Sequence, residues 1–190
     1  MNRTLVVMLK VPRAGRVKTR LGRDIGMIAA SWWFRHQVRG LLRRVVDARW
    51  EVVLAVAPDR EGMMSRVWPA QLARIPQGRG NLGDRMGRAL RGAPSGPCCV
   101  IGGDIPAISR DRIAEAFAAL GRHDAVFGPA PDGGYWLIGL RRVRSVPPTL
   151  FAGVRWSTEH ALEDTIATLP DHSIARIATL RDVDTAADLK

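Results

Sequence analysis

The sequence is poor in the residues that would mark a disulfide-rich or zinc-binding protein. Its 190 residues include two cysteines, Cys98 and Cys99, which are adjacent. Neighbours on a strand point to opposite faces, so we expect no disulfide between them. Two thiols in a buried strand are typical of a reducing compartment. The four histidines are scattered, and no cysteine–histidine spacing of a zinc site is present.

Long apolar runs are also absent. The longest, such as Thr4–Leu9 and Trp50–Pro58, are far shorter than the ~20 residues needed to span a bilayer. The first eleven residues carry one arginine and a short apolar stretch, without a small-residue cleavage site. We interpret them as a first strand rather than a signal peptide. The expected location is the cytoplasm, and no membrane partner is expected.

Lysine is rare in an otherwise basic chain. The net charge is +11, yet lysine occurs only at positions 10, 18 and 190, and the other 26 of the 29 basic residues are arginine. The arginines are spread along the chain, without a basic tail or interleaved stacking aromatics, so the composition does not favour nucleic-acid binding. That class stays the alternative, and tight, steeply salt-dependent DNA or RNA binding without turnover would indicate it. Lys18 is notable because this chain uses arginine almost everywhere else.

What the sequence does contain is a regular alternation of apolar, β-branched runs and helical patterns. This alternation predicts a single α/β domain over residues 1–190, a three-layer α/β/α sandwich with a mostly parallel central sheet. Such sheets bind ligands beyond the carboxyl ends of their strands. Ser109 and Ser157 or Thr158 are plausible helix N-caps. The predicted strands are Thr4–Val11, Trp50–Ala57, Ala73–Pro76, Cys98–Gly102, Ala125–Phe127, Tyr135–Leu140 and Ala175–Leu180, and the predicted helices are Asp24–Val46, Glu61–Val67, Leu82–Leu90, Arg110–Leu120 and Thr158–Leu169.

The first motif is a cationic loop after the first strand, "KVPRAGRVKTRL", residues 10–21. Glycine allows a loop to approach a ligand closely, and lysine and arginine neutralise phosphate oxygens. A Walker P-loop is excluded, because Val17 and Arg13 stand where that motif requires glycine. The loop is either a phosphate cradle or a solvated basic turn. Five cations lie between positions 13 and 23: Arg13, Arg16, Lys18, Arg20 and Arg23.

The second motif is "CCVIGGDIPAI", residues 98–108, in which a buried-looking strand ends on an acid. Gly102 and Gly103 remove side chains beside Asp104, and Pro106 fixes the exit from the strand. A carboxylate at such a strand end suits a divalent metal bound to a phosphate. An aspartate that caps the following turn explains the pattern equally well.

The third motif is "PAPDGGYWLIGL", residues 129–140, which contains a strong turn signal. A simple β-bend is one interpretation. In the other, Asp132 accepts hydrogen bonds from substrate hydroxyls, while Gly133 and Gly134 admit the substrate. Tyr135 and Trp136 are expected to belong mostly to the core, although one of the two rings could stack on a substrate ring. Asp132 is also a weak candidate for a general base.

The fourth motif is "RDVDTAADL", residues 181–189, with Asp182 and Asp184 two positions apart. On an extended segment the two carboxylates project from the same face, where they repel each other unless a cation such as Mg²⁺ lies between them. Capping of the short helix that follows, by Asp184 or Thr185, is the competing explanation.

The segment "NLGDRMGRAL", residues 81–90, leads from a loop into a helix. Leu82, Met86 and Leu90 share one face at helical spacing, which is typical of core residues. Asn81 and Arg85 lie on the other side, where they could face a crevice.

In this order the motifs resemble those of bacterial glycosyltransferase-A-type transferases, called radical-SAM/selenodomain-associated transferases, in the nucleotide-diphospho-sugar transferase superfamily. The opening also looks like 2-phospho-lactate guanylyltransferase of the same superfamily. Three positions depart from the pattern: Gly103 replaces a usual threonine, Ile105 a cysteine and Asn81 an aspartate. The matching residues are Lys10, Pro12, Gly15, "KTRL" at 18–21, "LGDRM" at 82–86, "GGDIP" at 102–106, "GPAPDGGYWLIGL" at 128–140, "WST" at 156–158 and "DVDT" at 182–185.

The resemblance implies a metal-dependent transferase that uses a nucleoside triphosphate or a nucleotide sugar, together with an unidentified small acceptor. Nucleotidyl transfer is favoured slightly over glycosyl transfer by the cationic first loop. Mg²⁺ or Mn²⁺ would lie between Asp104, Asp182 and Asp184. A homodimer is left open, and no nucleic-acid partner is expected. The implied nucleotide-binding residues are Lys10, Pro12, Gly15, Arg16, Lys18, Arg85 and Gly103, the substrate-binding residues Asp132, Gly133, Gly134 and Tyr135, and the catalytic residues Lys18, Arg20 and Asp132.

Overall fold

The computed structural model describes residues 2–143 and 145–189, in which helices and strands alternate along the chain. Over these residues the strands are β1 (Thr4–Lys10), β2 (Glu51–Ala57), β3 (Ala73–Pro76), β4 (Cys98–Gly102), β5 (Ala125–Pro129), β6 (Tyr135–Leu140) and β7 (Ile174–Arg176). The helices are α1 (Thr19–Ile25), α2 (Met27–Val45), α3 (Asp59–Met64), α4 (Leu82–Gly92), α5 (Arg110–Ala119) and α6 (Ala161–Ala167), followed by a 3₁₀ helix at Ala186–Leu189.

The described strands form one sheet in the order β3-β2-β1-β4-β6-β5-β7. β6 is antiparallel to both of its neighbours, and the other pairs are parallel. The carboxyl ends of β1, β4, β5 and β7 therefore meet the amino end of β6 at one edge of the sheet. The first three sequence motifs begin or end on these strands and so reach this edge, whereas the fourth, residues 181–189, follows β7 after a short irregular segment.

Apolar residues cover both faces of the sheet, as expected for a mostly parallel sheet between helices. Successive residues of β1 alternate: Leu5, Val7 and Leu9 pack against α2 and α5, whereas Val6 faces the side of α4 and α6. The result is the α/β/α sandwich with a mostly parallel sheet that the sequence predicted.

The first helical segment differs from its sequence prediction. Instead of one helix over Asp24–Val46, the chain forms α1 and α2, which are separated at Gly26. Gly26 has a φ of +92°, in the left-handed region, and its N–H bonds to the Gly22 carbonyl to close α1. The prediction therefore placed the start of the helical segment at Asp24 instead of Thr19. It also did not include the break at Gly26, because an apolar stripe continues through both helices.

The other bounds differ mainly at helix and strand ends. The last helix was expected from Thr158, but α6 begins at Ala161 with His160 as its N-cap, so Ser157 and Thr158 do not cap it. The N-cap at Ser109 is confirmed, because its side chain accepts the N–H of Arg112. None of the described helices combines the length and apolar character that a bilayer crossing requires.

Cys98 and Cys99 are both free and buried in β4. They face opposite sides of the sheet, since Cys99 packs in the cluster with α2 and Cys98 in the cluster with α4. Burial raises the pKa of Cys98 to about 12. Both thiols are therefore core side chains, as the sequence indicated.

Candidate active site

Four charged side chains from the first, second and fourth motifs meet at the carboxyl edge of the sheet. The Lys18 Nζ lies 2.8 Å from an Asp104 carboxylate oxygen, 3.5 Å from Asp182 and 3.2 Å from Asp184. The Lys18 side chain is 7% exposed, whereas the three carboxylates are each about one-third exposed. We call these four residues the lysine–carboxylate cluster.

The backbone of Lys18 adopts an unusual conformation at the centre of this cluster. Its φ of +46° and ψ of +49° lie in the left-handed region, which is uncommon for a residue other than glycine. Lys18 is the N-cap residue of α1, and its carbonyl accepts the N–H of Gly22. The start of α1 thus fixes where the lysine leaves the backbone and points its side chain towards the acids.

The C-terminal pair is held in an extended segment. Val183 is buried against Leu21 and Ala30, while Asp182 and Asp184 on either side of it face the cluster. This alternation places both carboxylates on one face, as the spacing predicted. Asp188 accepts the N–H of Asp184, and Asp24 accepts the N–H of Ala186, so both ends of the short turn are fixed.

Burial and charge act in opposite directions on this cluster. Burial lowers the pKa of Lys18, but attraction to the carboxylates, Asp104 first, outweighs it and raises the pKa above its ordinary value. Burial raises the pKa of Asp182, and the nearby carboxylates of Asp184 and Asp104 raise it further. Attraction to Lys18 lowers the pKa but does not outweigh these effects. Burial also acts to raise the pKa of Asp184, but Lys18 and Arg20 outweigh it and lower the pKa. The lysine is therefore protonated at neutral pH.

The cluster retains an excess of negative charge. Arg20 is 2.8 Å from Asp184, so two cations face three carboxylates. Among the described residues, no three His, Cys, Asp or Glu side chains are already arranged as a metal site, and the ammonium of Lys18 occupies the point where the carboxylates converge. Carboxylate oxygens that already surround one cationic atom are a donor set that fits Mg²⁺ or Mn²⁺.

A cationic cleft of about 690 Å³ opens on one side, between the loops that follow β1, β2 and β3. Arg85 is held in its wall by a hydrogen bond from Nε to the Gly80 carbonyl. Asp59 accepts the N–H of Gly78 and so joins the loop after β2 to the loop after β3. The cleft is lined by the cations Lys10, Arg13, Arg16, Arg79 and Arg85, by the acids Asp59 and Glu61, and by Val11, Ala57, Pro58, Gly78 and Gly80.

Behind the cleft, the buried side chain of Gln77 connects the strand ends. Its amide nitrogen donates to the carbonyls of Leu9, at 3.1 Å, and Ala55, at 2.8 Å. Arg88 on α4 donates in turn to the Gln77 carbonyl. The carbonyl groups of Leu9, Ala55 and Gln77 therefore have hydrogen-bond partners, as buried polar groups require. These bonds fix the wall of the cleft.

An acidic cavity of about 230 Å³ adjoins the lysine–carboxylate cluster, since Asp104 and Asp182 line it. Asp104, Asp132 and Asp182 face it, and Tyr135 and Trp156 contribute aromatic rings 6.4 Å apart. No lysine, arginine or histidine is among the described residues that line it. The cavity and the cationic cleft are therefore opposite in charge.

The turn of the third motif forms one wall of this cavity. Asp132 is exposed and accepts the Gly134 N–H through Oδ1, at 3.0 Å. Tyr135 is half-buried, and its hydroxyl lies 3.3 Å from the Thr165 hydroxyl. Trp136 is buried and donates from Nε1 to the Ala178 carbonyl, which confirms it as a core residue.

Two glycines of the predicted site, Gly103 and Gly133, have no room for a side chain. A Cβ on Gly103 would lie 2.5 Å from Leu9 Cδ2, inside the core. Gly133 has a φ of +82°, and a Cβ there would lie 2.1 Å from the Glu159 carbonyl oxygen. The open space lies instead beside Gly102 and Gly134, which both line the acidic cavity.

Two further predicted residues lie outside both spaces. Pro12 and Gly15 do not line the cleft or the cavity, although Gly15 is exposed and a Cβ there would meet nothing within 4 Å. Its φ of +73° requires the left-handed region in which glycine is favoured, so it shapes the first loop.

Sequence reasoning missed several residues of both walls. Asp59 and Arg79 in the cleft follow strands without any recognisable motif. The segment 156–158 was interpreted as a cap and a packing tryptophan, yet Trp156, Ser157 and Thr158 line the acidic cavity. Met86 is buried in the core as predicted and also lines the cavity, whereas Leu82, predicted to be a core residue, is 48% exposed there. The position of the "WST" segment just before a helix and near the turn of the third motif was the available signal.

Solved structures similar to this chain share its fold. A protein from Desulfovibrio desulfuricans G20, provisionally named a nucleotide-diphospho-sugar transferase, is 30% identical over 100% of this chain and 85% of its own, with a TM-score of 0.90. CMP:2-keto-3-deoxy-manno-octonic acid synthetase in complex with CTP is 11% identical over 100% and 95% of the chains, with a TM-score of 0.58. Rv0371C of Mycobacterium tuberculosis H37Rv in complex with manganese is 16% identical over 99% and 95%, with a TM-score of 0.57.

The last two likenesses show the fold alone, because their identities are low. No curated protein matches the sequence. One family profile matches residues 41–158, which is more than half of the chain and includes α4, β4, the turn of the third motif and the "WST" segment. The chain therefore belongs to the bacterial family described as "Uncharacterized protein conserved in bacteria (DUF2064)".

Proposed function

We propose that this protein is a metal-dependent transferase that acts on a nucleoside triphosphate or a nucleotide sugar. The observation that carries the proposal is the convergence of Lys18 with three carboxylates from two distant motifs, at a sheet edge that also forms a cationic cleft and an acidic cavity. Such an arrangement separates two substrates by charge and places both beside one cation-binding point.

Asp104, Asp182 and Asp184 would hold the divalent metal. Bound there, a divalent ion supplies neutralisation of negative charge on phosphoryl oxygens. The donor set is all carboxylate oxygen, which suits a hard cation, and the charge excess of the cluster leaves room for a second cation. The manganese complex of Rv0371C, which shares the fold, supports the same chemistry.

The cationic cleft would hold the nucleotide. Arg16 of the first loop lines the cleft, and it would neutralise phosphate charge together with Lys18 and Arg20, which follow it in the same loop and contact Asp184. Lys10 and Arg85 stand further along the walls, where the nucleoside would lie. The CTP complex of the synthetase with this fold supports a nucleotide ligand.

Two transfers fit this arrangement. In nucleotidyl transfer an acceptor oxygen bonds to the α-phosphorus and pyrophosphate leaves, whereas in glycosyl transfer it bonds to the anomeric carbon and a nucleoside diphosphate leaves. Lys18 and Arg20 would stabilise the charge on either leaving group. An acceptor hydroxyl must also lose its proton, for which the exposed carboxylate of Asp132 is the candidate base. The density of cations in the first loop favours the more highly charged triphosphate, and thus nucleotidyl transfer.

The order of the motifs supports a closer relationship. Five motifs occur in the order expected of radical-SAM/selenodomain-associated transferases: "KTRL", "GGDIP", "DGGYW", "WST" and "DVDT". We place the chain with that subfamily as a proposal, together with its likeness to 2-phospho-lactate guanylyltransferase. The 30% identical neighbour, provisionally named a nucleotide-diphospho-sugar transferase, supports the broader assignment.

The direct test is a thermal-shift panel of nucleoside triphosphates and nucleotide sugars, with and without Mg²⁺ or Mn²⁺. A ligand that binds only the folded state raises the melting temperature, so stabilisation by one nucleotide that requires the metal is the expected result. The base that gives it identifies the donor. Absence of metal-dependent stabilisation by every member of the panel contradicts the proposal.

A further inference from the structure

Helix α2 has an exposed face that the proposed function does not use. Its buried side is apolar and packs on the sheet, as in other amphipathic helices. On the solvent side, however, Ile28 is 69% exposed and Trp32 57%, and Met27 at the start of the helix is 37% exposed. Large apolar side chains therefore lie in water in the first two turns of one helix.

Arginines continue this exposed face towards the end of the helix. Residues three or four positions apart lie one above another on a helix surface. We call the exposed row with this spacing the α2 stripe, which begins with two apolar side chains and continues with three cations. Its members are Ile28, Trp32, Arg35, Arg39 and Arg43.

No acidic residue interrupts the α2 stripe. The 19 residues of α2 contain neither aspartate nor glutamate. The acids that flank the helix in the sequence have partners of their own: Asp24 accepts the N–H of Ala186, and Asp47 pairs with Arg49 and Arg110. The cationic part of the stripe is therefore complementary to a negatively charged partner.

A second copy of this chain matches the α2 stripe poorly. A two-fold contact places the same patch of both chains face to face. The arginines of the stripe would then face like charges, with no acid on either α2 to receive them.

A nucleic acid matches the charge but not the apolar part. Bases bind such surfaces by stacking on aromatic rings. The Trp32 ring already stacks on His36, with 5.9 Å between the ring centroids, and the Arg35 guanidinium lies 5.8 Å from the centroid of the same indole ring. A base would have to displace these contacts, and the aliphatic surface of Ile28 would stay in water.

An anionic bilayer surface matches both parts. Helices that lie in a membrane interface place tryptophan and aliphatic side chains among the headgroups, and their arginines contact acidic lipids. The α2 stripe has this composition on a helix that is already packed on the sheet, so binding requires no folding. We expected no membrane partner because no run is long enough to span a bilayer, but an interfacial helix needs no such run.

We propose that the α2 stripe docks this protein on the surface of an anionic lipid bilayer, with Ile28 and Trp32 among the headgroups and the arginines on acidic lipids. The apolar end of the stripe lies at the same end of the molecule as the lysine–carboxylate cluster, because Ala30 of α2 packs in one cluster with Val183. A protein docked in this way holds its candidate active site near the bilayer surface.

The test is co-sedimentation of the full chain with vesicles of phosphatidylcholine alone and of phosphatidylcholine mixed with phosphatidylglycerol. The protein should bind the anionic vesicles at least about tenfold more tightly, and added salt should weaken the binding. Equal binding to the two kinds of vesicle, or binding to neither, overturns the proposal.

Truncation of the apolar part separates docking from general attraction. Trp32→Ala should weaken binding to the anionic vesicles by about tenfold, and Ile28→Ser by several-fold, because these side chains no longer enter the headgroup region. Val143→Ser, which truncates an exposed apolar side chain after β6, is the control and should bind as the wild type does. Unchanged binding in Trp32→Ala shows a non-specific attraction and overturns the proposal.

The arginines are tested at constant net charge. The double variant Arg39→Gln and Arg43→Gln should lose at least about tenfold in vesicle affinity. Its control is Arg91→Gln with Arg122→Gln, which removes the same charge from two exposed positions outside α2 and should lose no more than about twofold. Equal losses in the two double variants contradict docking through the α2 stripe.

Two other outcomes identify a different occupant and overturn the proposal. One is a dimer in analytical ultracentrifugation that Trp32→Ala dissociates, without vesicle binding by the wild type. The other is binding of single-stranded RNA that Trp32→Ala abolishes, again without vesicle binding. Metal-dependent nucleotide stabilisation should be the same in Trp32→Ala and the wild type, so loss of docking in this variant is distinguishable from loss of the fold.

Discussion

The cationic cleft and the acidic cavity are built from the same edge of the sheet, but they differ in charge and in the elements that form their walls. The cleft is formed by loops after parallel strands and carries five cationic side chains. The cavity is formed where the antiparallel strand β6 enters the sheet, and it has carboxylates and aromatic rings. The switch of strand direction thus separates two environments, and the lysine–carboxylate cluster lies at their boundary.

The N-terminus of α4 belongs to both regions. Gly80 and Arg85 line the cleft, whereas Leu82 and Met86 line the cavity. Asn81 lies between these pairs in the sequence and forms a capping box. The Asn81 side chain accepts a hydrogen bond from the backbone N–H of Asp84, and the Asp84 side chain accepts one from the backbone N–H of Asn81. The helix that separates the two spaces is therefore fixed at the residue where they meet.

The largest effect should come from removing a carboxylate at the boundary. Asp104→Asn should lower turnover by about 100-fold or more, because a metal ion contributes several kcal/mol to stabilising phosphoryl charge. Metal-dependent nucleotide stabilisation should be lost in the same variant, measured by thermal shift. Asp171→Asn, an exposed substitution elsewhere, should retain both properties. Full activity in Asp104→Asn would contradict the assignment of Asp104 as a metal ligand.

Replacing Lys18 should have opposite effects on the affinity for the metal and on the affinity for the nucleotide. Lys18→Met removes the cation that competes for the three carboxylates, so Mn²⁺ should bind about tenfold more tightly in the absence of nucleotide. Nucleotide affinity and turnover should both fall, because a phosphate partner is lost. Isothermal titration with MnCl₂ measures the first effect.

Lys10→Met is the control for that measurement, since Lys10 lines the cleft but has no contact with the cluster among the described residues. It should leave Mn²⁺ affinity unchanged. An equal or weaker Mn²⁺ affinity in Lys18→Met would mean that the ammonium and the metal do not share a position.

A single cation of the cleft should have a smaller effect. Arg16→Ala should weaken nucleotide binding several-fold and reduce its salt dependence, because one exposed phosphate partner is removed. Arg112→Ala, which removes an exposed arginine paired with Glu115 on α5, controls for net charge. Equal losses in the two arginine variants would indicate a general charge effect rather than a cleft.

The smallest effect should follow from loosening the wall. Asn81→Ala removes the capping box and should lower the free energy of unfolding by about 1 kcal/mol. Urea denaturation measures the change, and Asn81→Ser should restore most of it, since serine is also a favourable cap. An Asn81→Ala protein as stable as the wild type would show that this cap does not hold the wall.

Much of the architecture could be predicted because hydrophobic periodicity is local. The strands over residues 73–76, 98–102 and 135–140 have the predicted bounds, and the last two are short apolar runs next to turn signals. The break at Gly26 was not predictable in this way, because its flanking apolar residues fit one continuous helix and only the φ angle reveals the bend. Asn81, which departs from the family pattern, is explained by its capping role.

The candidate site was predictable in part for the same reason. Asp104 and Asp182 follow strands, and strand ends of one sheet meet, so their proximity could be expected from order alone. That Lys18 lies among the three acids could not, because its left-handed backbone directs the side chain to them.

The sequence by itself determined the alternation of strands and helices, the position of each motif at a strand end, and the excess of arginine over lysine. Only the tertiary structure decided which charges share a space. Local patterns specify the direction of a side chain relative to its own strand or helix, but the charge of a cavity depends on segments that are far apart in the chain. Here β6 runs against its neighbours, and that packing puts the cations in one compartment and the carboxylates in the other.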